Sequence, residues 1–299
     1  MKTSVIIPTY QGAHKIAATL DALERQTRKD FELILVIDGS SDGTAEVVRR
    51  QKLTMAVQIV EQHNKGRAGA RNAGAKVANG SLLVFYDDDM LPAPDSFEKH
   101  VTFHDLHPNT ILVGNAPQRP NDYGPDFYRY RAHLGTEWIR NYPDLPLPLR
   151  KNNLFMTAAN CSMEKRDFQE LDGFTEKLPD AEDKEFAIRA FKKNIPVFFD
   201  KHNQAWHDEA ITCRSYIRRL RQYAEANKAV QSMHPEFSMA DVPGTSHTKK
   251  WIYHWLARSW WVDAIDHFTI LYLIPRKIRY RLYGAVTFAL SEMYPDVTI

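Results

Sequence analysis

The sequence predicts an α/β protein built on a doubly wound, mainly parallel sheet. Apolar, β-branched runs of strand length recur at residues 3–8, 31–37 and 82–86, and segments with helical spacing of apolar residues lie between them. Two of these runs end directly in aspartates, at Asp38 and at residues 87–89. Because ligands of open α/β sheets bind outside the carboxyl ends of the strands, the sequence predicts a binding site at this edge.

The other elements of the first half alternate in the same way. Clusters of glycine, serine and aspartate, as at 38–43, separate a strand from the helix that follows it. The predicted order is a strand at 3–8, a helix from Ile16, a strand at 31–37, a helix at 44–50, a strand at 55–60, a small-residue helix at 66–78 and a strand at 82–86. This alternation is typical of a doubly wound sheet.

The amino-acid composition changes between Pro117 and Pro148. Beyond a predicted helix at 97–107 and a short strand at 110–114, six prolines and several large aromatic residues occupy this stretch. It predicts a long irregular excursion of the kind that commonly carries function. Its aromatic rings either stack on sugar rings or hold the loop against the body of the protein.

Past residue 150 the chain is predicted to resume the sheet and then to turn helical. An apolar run at 154–162, a short helix at 165–171 closed by Gly173, and a strand at 197–199 precede His207. Further helices are predicted at 216–233, 249–273 and 276–293.

The composition is that of an ordinary globular protein. The 299 residues include 43% apolar and 25% charged residues, enough for one large or two modest domains. A net charge of only +2 argues against a nucleic-acid binder. Cys161 and Cys213 offer neither a disulfide framework nor metal-ligand spacing, which fits a reducing compartment. With no signal-peptide pattern before the first strand and no membrane-spanning run, we expect a cytoplasmic protein.

Three consecutive carboxylates, Asp87, Asp88 and Asp89, follow the apolar run at 82–86. Side by side they repel one another and raise each other's pKa unless a cation lies among them. Carboxylate oxygens suit Mg²⁺ or Mn²⁺, so a divalent-ion site is one interpretation. The other is a solvated turn that caps the next helix. Taken alone, these residues leave both interpretations open.

The C-terminal helices carry an unbalanced charge. Across residues 249–281 seven lysines and arginines face two acids, Asp263 and Asp266, and four tryptophans are interleaved. Basic residues and tryptophans on amphipathic helices favour docking on an anionic membrane surface, which would make the protein peripheral to the inner face of the membrane. The alternative is a helical subdomain, or a homodimer face, with lysine stems packed along apolar surface.

Five motifs in order make the chain resemble the family 2 glycosyltransferases, which have the GT-A nucleotide-sugar fold. The resemblance runs from Ser4 to about His207, and its motifs lie at 4–10, 36–44, 64–74, 85–89 and 182–183. It favours the metal interpretation of the acidic run. It implies a nucleotide-sugar-binding half at 1–115, an acceptor-binding and catalytic half at 116–211, and a helical extension at 212–299.

The resemblance implies a donor site for a nucleotide-sugar, with UDP as the expected nucleotide. Pro8 and Tyr10 in the first loop would pack on the base, and Asp38 would accept the N3 proton of uracil. Arg71 would contact the base or the diphosphate through a guanidinium whose fork geometry suits phosphate. Asp87 would face the ribose and the sugar.

The rest of the acidic run resembles the family's Asp-x-Asp motif. Asp88 stands at the middle position, on the donor side, which the family leaves variable. Asp89 would bind the metal that bridges the two phosphates. His207 matches the position at which many relatives place a further metal ligand, and an imidazole there would favour Mn²⁺ over Mg²⁺.

Two adjacent acids resemble the family's catalytic pair. Asp183 would act as the base that takes a proton from the acceptor hydroxyl, and Glu182 beside it would hold sugar hydroxyls of the acceptor. On sequence alone both are explained by the first turn of a helix, where the dipole favours negative charge. A single base opposite the leaving group implies one displacement with inversion at the anomeric carbon.

Departures from the family narrow the expected activity. Gln11 stands where relatives usually carry Asn, which affects only the detail of the first loop. No Gln-x-x-Arg-Trp motif is present, and together with the lack of predicted transmembrane helices this favours transfer of a single sugar to a glycan or lipid-linked acceptor over processive synthesis. A sugar nucleotidyltransferase would need a basic, glycine-rich loop at 8–12, and an NAD enzyme would need a glycine spacing that Gly66, Gly69 and Gly74 do not have. A non-catalytic nucleotide-sugar-binding protein and a sugar nucleotidyltransferase remain the alternatives.

Overall fold

A computed structural model describes residues 2–237 and 247–299. The chain divides into two compact units. The first unit runs to Pro117 and continues with Ile139–Glu209, and the second comprises Gln118–Trp138 and Ala210–Ile299. Residues 118–138 therefore belong to the same unit as the C-terminal helices. The division based on the sequence instead placed them in the half at 116–211.

The described residues form strands and helices that alternate through the first unit and become helical in the second. The strands are β1 (Thr3–Thr9), β2 (Phe31–Asp38), β3 (Ala56–Gln62), β4 (Leu82–Tyr86), β5 (Met90–Pro92), β6 (Ile111–Asn115), β7 (Leu147–Pro148), β8 (Asn160–Glu164) and β9 (Val197–His207). The helices are α1 (Ile16–Glu24), α2 (Thr44–Arg50), α3 (Gly66–Val77), α4 (Ser96–Leu106), α5 (Asp126–Ile139), α6 (Lys165–Glu170), α7 (Glu182–Lys192), α8 (Cys213–Met233), α9 (His247–Leu256), α10 (Trp260–His267) and α11 (Arg276–Phe288).

A mixed sheet forms the centre of the first unit. Its strand order is β3-β2-β1-β4-β8-β6-β9-β5, with β7 paired to β9. The first four strands are parallel, and β8 runs antiparallel to both β4 and β6. Alternate residues of β1 enter two different cores, Ile6 on one face and Val5 and Ile7 on the other. Both faces are therefore buried, as in other largely parallel sheets.

Helix α3 packs unusually close to this sheet because its residues are small. A Cβ atom on Gly74 would come within 2.5 Å of Ile6 Cγ2 and 3.2 Å of Val36 Cγ2. The start of α3 lies at the carboxyl end of β2, where the backbone N–H of Lys65, just before the helix, donates a hydrogen bond to Asp38.

The second unit has its own core, built by α5 up to Trp138 and by the helices after residue 210. Phe127, Tyr130, Ile217, Val262 and Val286 are among its buried residues. None of the helices within residues 2–237 and 247–299 has both the length and the hydropathy that a transmembrane helix needs.

Two sequence-based expectations for this unit are wrong. The stretch predicted to be irregular contains the 14-residue helix α5, because its prolines lie outside the helix and Pro125 precedes the first helical residue. The helix predicted at 249–273 is divided into α9, α10 and a 3₁₀ turn at Thr269–Leu273. The break lets the Trp255 and Trp260 rings pack on Trp261, with ring centroids 4.9 and 4.2 Å apart.

Candidate active site

A cavity of about 250 Å³ lies at the carboxyl ends of β1, β2 and β4. Parallel pairing aligns these ends, so the loops after the three strands reach the same place. Most of the residues predicted for the site line this cavity: Pro8, Tyr10, Asp38, Asp87, Asp88 and Asp89. The remaining four, Arg71, Glu182, Asp183 and His207, are not among its lining residues.

Asp38 ends β2 with one carboxylate oxygen fixed by the protein. Its Oδ1 accepts hydrogen bonds from the Gln62 side chain at 2.7 Å and from the Lys65 backbone N–H at 2.9 Å. Its Oδ2 has no hydrogen-bond partner among the described residues. The next residue, Gly39, has a φ of 78° and packs on Asn64, whose backbone N would lie 2.7 Å from a Cβ at this position. The carboxylate is therefore held in place with one oxygen available to a ligand.

Arg71, on α3, connects the cavity to the start of α7. Its Nη2 donates to Asp87 Oδ1 at 2.5 Å, and its Nη1 donates to Glu182 Oε1 at 2.6 Å. The guanidinium is buried, and its Nε has no hydrogen-bond partner among the described residues. Burial alone would lower the pKa of Arg71, but the charges of Asp87 and Glu182 raise it above its ordinary value. Arg71 therefore stays charged and holds two of the predicted carboxylates in one network.

Asp88 has both carboxylate oxygens engaged by protein groups. Its Oδ2 accepts a hydrogen bond from the Thr9 hydroxyl at 2.7 Å, and its Oδ1 pairs with Lys15 Nζ at 2.9 Å. A Cβ atom on Gly12 would come within 2.7 Å of the same Oδ2. Burial would lower the pKa of Lys15, but the charge of Asp88 raises it. Asp88 thus ties the first loop to the cavity and holds the Lys15 ammonium in the cavity wall, while a direct contact of Asp88 with the donor stays a prediction.

Asp89 and His207 are neighbours because β5 pairs with β9, which sets Met90 opposite His207. Asp89 Oδ1 lies 3.6 Å from His207 Nδ1 and is buried without a hydrogen-bond partner among the described residues. Burial would raise the pKa of Asp89, but the nearby His207 and the charge of Lys15 lower it to about 2. Burial would lower the pKa of His207, but Asp89 raises it. The carboxylate is therefore ionised at neutral pH.

The Asp89–His207 pair fits a divalent ion. A carboxylate and an imidazole are ligand types that Mn²⁺ accepts, and Asp89 Oδ1 is a buried oxygen that has no hydrogen-bond partner among the described residues. Within the part of the chain that the structure describes, no cluster of three or more His, Cys, Asp or Glu side chains is arranged to hold a metal. Phosphate oxygens and water are further ligands that such an ion accepts.

Asp183 lies in the first turn of α7, directly after Glu182, as the sequence predicts. Its half-buried carboxylate accepts hydrogen bonds from the Ala158 N–H at 3.2 Å and the Lys184 N–H at 2.7 Å. Burial and the adjacent Glu182 raise the pKa of Asp183 well above its ordinary value, although Arg71 and the two N–H groups oppose the shift. The carboxylate is consequently a stronger base than an ordinary aspartate.

Two basic residues of the cavity were not predicted from the sequence. Arg67 lines the cavity and has its Nη1 3.6 Å from Asp180 Oδ2, and Lys15 faces it from the first loop. Arg67 lies inside the motif at 64–74, so its place at the start of a helix beside the site was a usable signal. Lys15 has no such signal, because only the pairing with Asp88 across the fold brings it to the cavity.

Known proteins resemble the chain over more than half of its length. The family model described as Glycosyl transferase family 2 matches residues 4–172. Validoxylamine A glucosyltransferase of Streptomyces hygroscopicus subsp. jinggangensis (strain 5008) is 29% identical over 236 residues, which is 69% of this chain and 55% of that protein. The poly(ribitol-phosphate) beta-N-acetylglucosaminyltransferase TarS of Staphylococcus aureus (strain Mu50 / ATCC 700699) is 32% identical over 207 residues, 67% of this chain and 35% of TarS. The chain thus spans about half and about a third of the length of these curated relatives.

Solved structures share the fold over nearly the whole chain. S. aureus TarS 1-349 in complex with UDP has a TM-score of 0.56 at 17% identity and covers 99% of this chain and 91% of its own. Mannosyltransferase PcManGT from Pyrobaculum calidifontis, in complex with GDP-Man and Mn2+, has a TM-score of 0.62 at 19% identity, covering 100% and 76%. These likenesses confirm the predicted α/β fold of the GT-A type. Since the family model covers more than half of the sequence, the chain belongs to glycosyl transferase family 2.

Proposed function

We propose that the protein transfers one sugar from a UDP-sugar to a hydroxyl of a glycan or lipid-linked acceptor, with inversion at the anomeric carbon. The observation that carries this proposal is the network through Arg71, which joins Asp87 in the cavity to Glu182 beside Asp183. The network thereby links the wall that would bind the donor to the helical turn that carries the proposed base. The names of the relatives, which are glucosyl- and N-acetylglucosaminyltransferases, support the same reaction class.

The wall formed by the first two strands suits a uracil nucleotide. Asp38 Oδ2 is available to accept the N3 proton of uracil, a donor that cytosine lacks. Tyr10 lines the cavity with half of its side chain exposed, so its ring can stack on the base beside Pro8. The TarS neighbour solved with UDP supports this choice of nucleotide.

Asp89 and His207 would hold a divalent ion, Mn²⁺ or Mg²⁺, that when bound neutralises charge developing on the leaving diphosphate. The chain adds two cations of its own to the lining of the cavity, Lys15 and Arg67. Ammonium and guanidinium groups attract the diphosphate and orient it. The complex of PcManGT with Mn2+ supports the choice of metal.

Asp183 acts as the base in a single displacement. The acceptor hydroxyl oxygen attacks the anomeric carbon while its proton passes to the Asp183 carboxylate, and the bond from that carbon to the diphosphate oxygen breaks with its electron pair leaving on the diphosphate. Attack and departure occur on opposite faces of the sugar, so the configuration inverts. The raised pKa of Asp183 brings the carboxylate closer to the basicity that this step requires.

The second unit is proposed to dock on an anionic membrane surface, where a lipid-linked acceptor would be found. Trp251, Trp255 and Trp260 are exposed there, as are the basic side chains of Lys250 and Arg258. Aromatic rings at the headgroup level and cations facing anionic lipids are the features of peripheral membrane helices.

A donor screen tests the proposed reaction. UDP-, GDP- and dTDP-sugars are added with Mn²⁺, the thermal midpoint is recorded, and the anomeric configuration of sugar slowly transferred to water is followed by NMR. We expect UDP-sugars to raise the midpoint most and the first product to have the inverted configuration. A retained configuration, or an equal midpoint with every donor, would reject the proposal.

A further inference from the structure

The second unit contains a cavity of about 250 Å³ that the proposed transfer reaction does not use. Three arginines line it, Arg129, Arg276 and Arg279, against two aspartates, Asp122 and Asp126. Asp126 is already shared, since it accepts hydrogen bonds from Arg279 at 2.5 and 3.0 Å, from Tyr283 at 2.9 Å and from Arg129 at 3.0 Å. The lining therefore keeps an excess of positive charge.

Two of these arginines retain binding capacity. Arg276 is exposed and has no hydrogen bond or ion pair with the residues described in 2–237 and 247–299. Arg129 Nε is buried without a hydrogen-bond partner in the same residues, although its Nη groups reach Asp126 and the Asp122 carbonyl. Guanidinium donors in this state suit phosphate oxygens.

The backbone adds to the positive field of this cavity. Helix α5 begins at Asp126 and α11 begins at Arg276, so the N-terminal ends of two helices of 14 and 13 residues lie in its wall. Helix N-termini present unpaired N–H groups and a partial positive charge, both of which favour anions. At the start of α5 the negative charge of Asp126 offsets part of this positive field. The first turn of α11 contains no acid, so its field is not offset in this way.

An apolar segment is fixed to the same cavity. The Tyr272 and Ile274 carbonyls accept hydrogen bonds from Arg279 Nη1 at 3.3 and 2.8 Å, and the Tyr272 ring lies 5.3 Å from the Arg279 guanidinium. Next to these anchors Ile270 is 66% and Leu273 83% exposed. Apolar side chains held out in water beside an anion site match a ligand with a charged head and an apolar tail.

We propose that this cavity binds the phosphate group of an anionic phospholipid, whose acyl chains lie along the segment Thr269–Leu273. The proposal rests on the membrane docking proposed for the second unit and identifies the place where a headgroup is held. A free phosphate shares the headgroup chemistry but would gain nothing from Leu273. The two sources are therefore separable by experiment.

Calorimetry of the full chain with a water-soluble, short-chain phosphatidic acid is the direct test. We expect saturable binding that Arg276→Gln weakens about tenfold, the loss of one charge-assisted phosphate contact. Arg50→Gln, at an exposed arginine of the first unit, removes the same charge and should leave binding unchanged. Leu273→Gln should weaken binding of the lipid but not of inorganic phosphate. In the wild type, inorganic phosphate should bind more weakly than the lipid.

Vesicles of phosphatidylcholine, with and without phosphatidic acid, separate failure of this proposal from failure of membrane docking. Co-sedimentation that is equal for wild type and Arg276→Gln would overturn the headgroup site while docking stands. Binding of the soluble lipid without co-sedimentation would reject docking and leave the headgroup site in place. Equal binding of inorganic phosphate and lipid, or no binding of either, would overturn the proposal.

Discussion

The two units contain cavities of equal size and opposite charge. In the first unit four aspartates and Glu209 line the cavity together with Lys15 and Arg67, and Arg71, which pairs with Asp87, lies outside the lining. In the second unit three arginines line the cavity with Asp122 and Asp126, and Asp126, which pairs with Arg129 and Arg279, is almost completely buried. In each cavity a buried side chain of opposite charge pairs with part of the lining, Arg71 with Asp87 and Asp126 with Arg129 and Arg279.

This difference indicates what each cavity can bind. Carboxylates repel a diphosphate and can bind one only through a cation, so under the proposed function the first cavity uses Lys15, Arg67 and a bound metal for this purpose. Guanidinium groups bind phosphate directly, so the second cavity requires no metal. Metal dependence and the effects of substitutions should therefore differ between the two units.

The largest effect is expected on the rate of transfer, from a substitution in the first unit. Asp183→Asn should lower kcat by about 10²- to 10⁴-fold, the usual contribution of a general base, because an amide cannot accept the hydroxyl proton. Binding of UDP should be unchanged, since Asp183 does not line the cavity. Steady-state kinetics and UDP calorimetry measure the two quantities. Asp105→Asn, at an exposed helix position, is the matched control, and turnover of Asp183→Asn near the wild-type rate would remove its role as base.

The second largest effect is expected for Asp126, the buried aspartate in the arginine-lined cavity of the second unit. Asp126→Asn should lower the stability of the second unit by about 3–5 kcal/mol, because it leaves Arg279 buried without its counter-charge. Five of the six tryptophans belong to this unit, so denaturant unfolding followed by tryptophan fluorescence reports on it. Asp122→Asn, at an exposed residue of the same cavity, should leave the midpoint in place. A midpoint for Asp126→Asn that equals that of Asp122→Asn would contradict the account of Asp126.

A smaller effect is expected from pH. Asp183 works only as the carboxylate, and its raised pKa means that it takes up a proton at a higher pH than an ordinary aspartate. The rate kcat should therefore fall as pH decreases, with a midpoint clearly above the usual aspartate value of about 4. The pH profile of kcat at saturating donor measures this midpoint. A profile that stays flat down to the ordinary aspartate range would show that burial and Glu182 do not shift this group.

Much of the acidic cavity could be predicted because its residues follow strands. Asp38 and Asp87 come directly after apolar runs, and parallel pairing must bring such ends together. The helix that carries Glu182 and Asp183 was recognisable from acids placed where the dipole favours them. Proximity of Asp89 to His207 was available only from the family resemblance, since it depends on β5, a strand of three residues.

Two features of the second unit, helix α5 and the basic cavity, could not be predicted from the sequence. The prolines within residues 117–148 predicted an irregular loop, but all of them lie outside α5. A composition averaged over the whole stretch therefore did not reveal the helix within it. The basic cavity joins Arg129 to Arg276 and Arg279, which lie about half of the chain apart. Tertiary contacts, and not any local pattern, create it. Lys15 in the first unit was missed for the same reason.

Calorimetry of UDP binding with and without Mn²⁺, for wild type and for Asp89→Ala, tests the central claim most directly. The account predicts that Mn²⁺ tightens UDP binding by about tenfold or more in the wild type, which corresponds to about 1.4 kcal/mol, and that Asp89→Ala removes this gain. Equal affinity for UDP with and without Mn²⁺ in the wild type, or a gain that persists in Asp89→Ala, would contradict it.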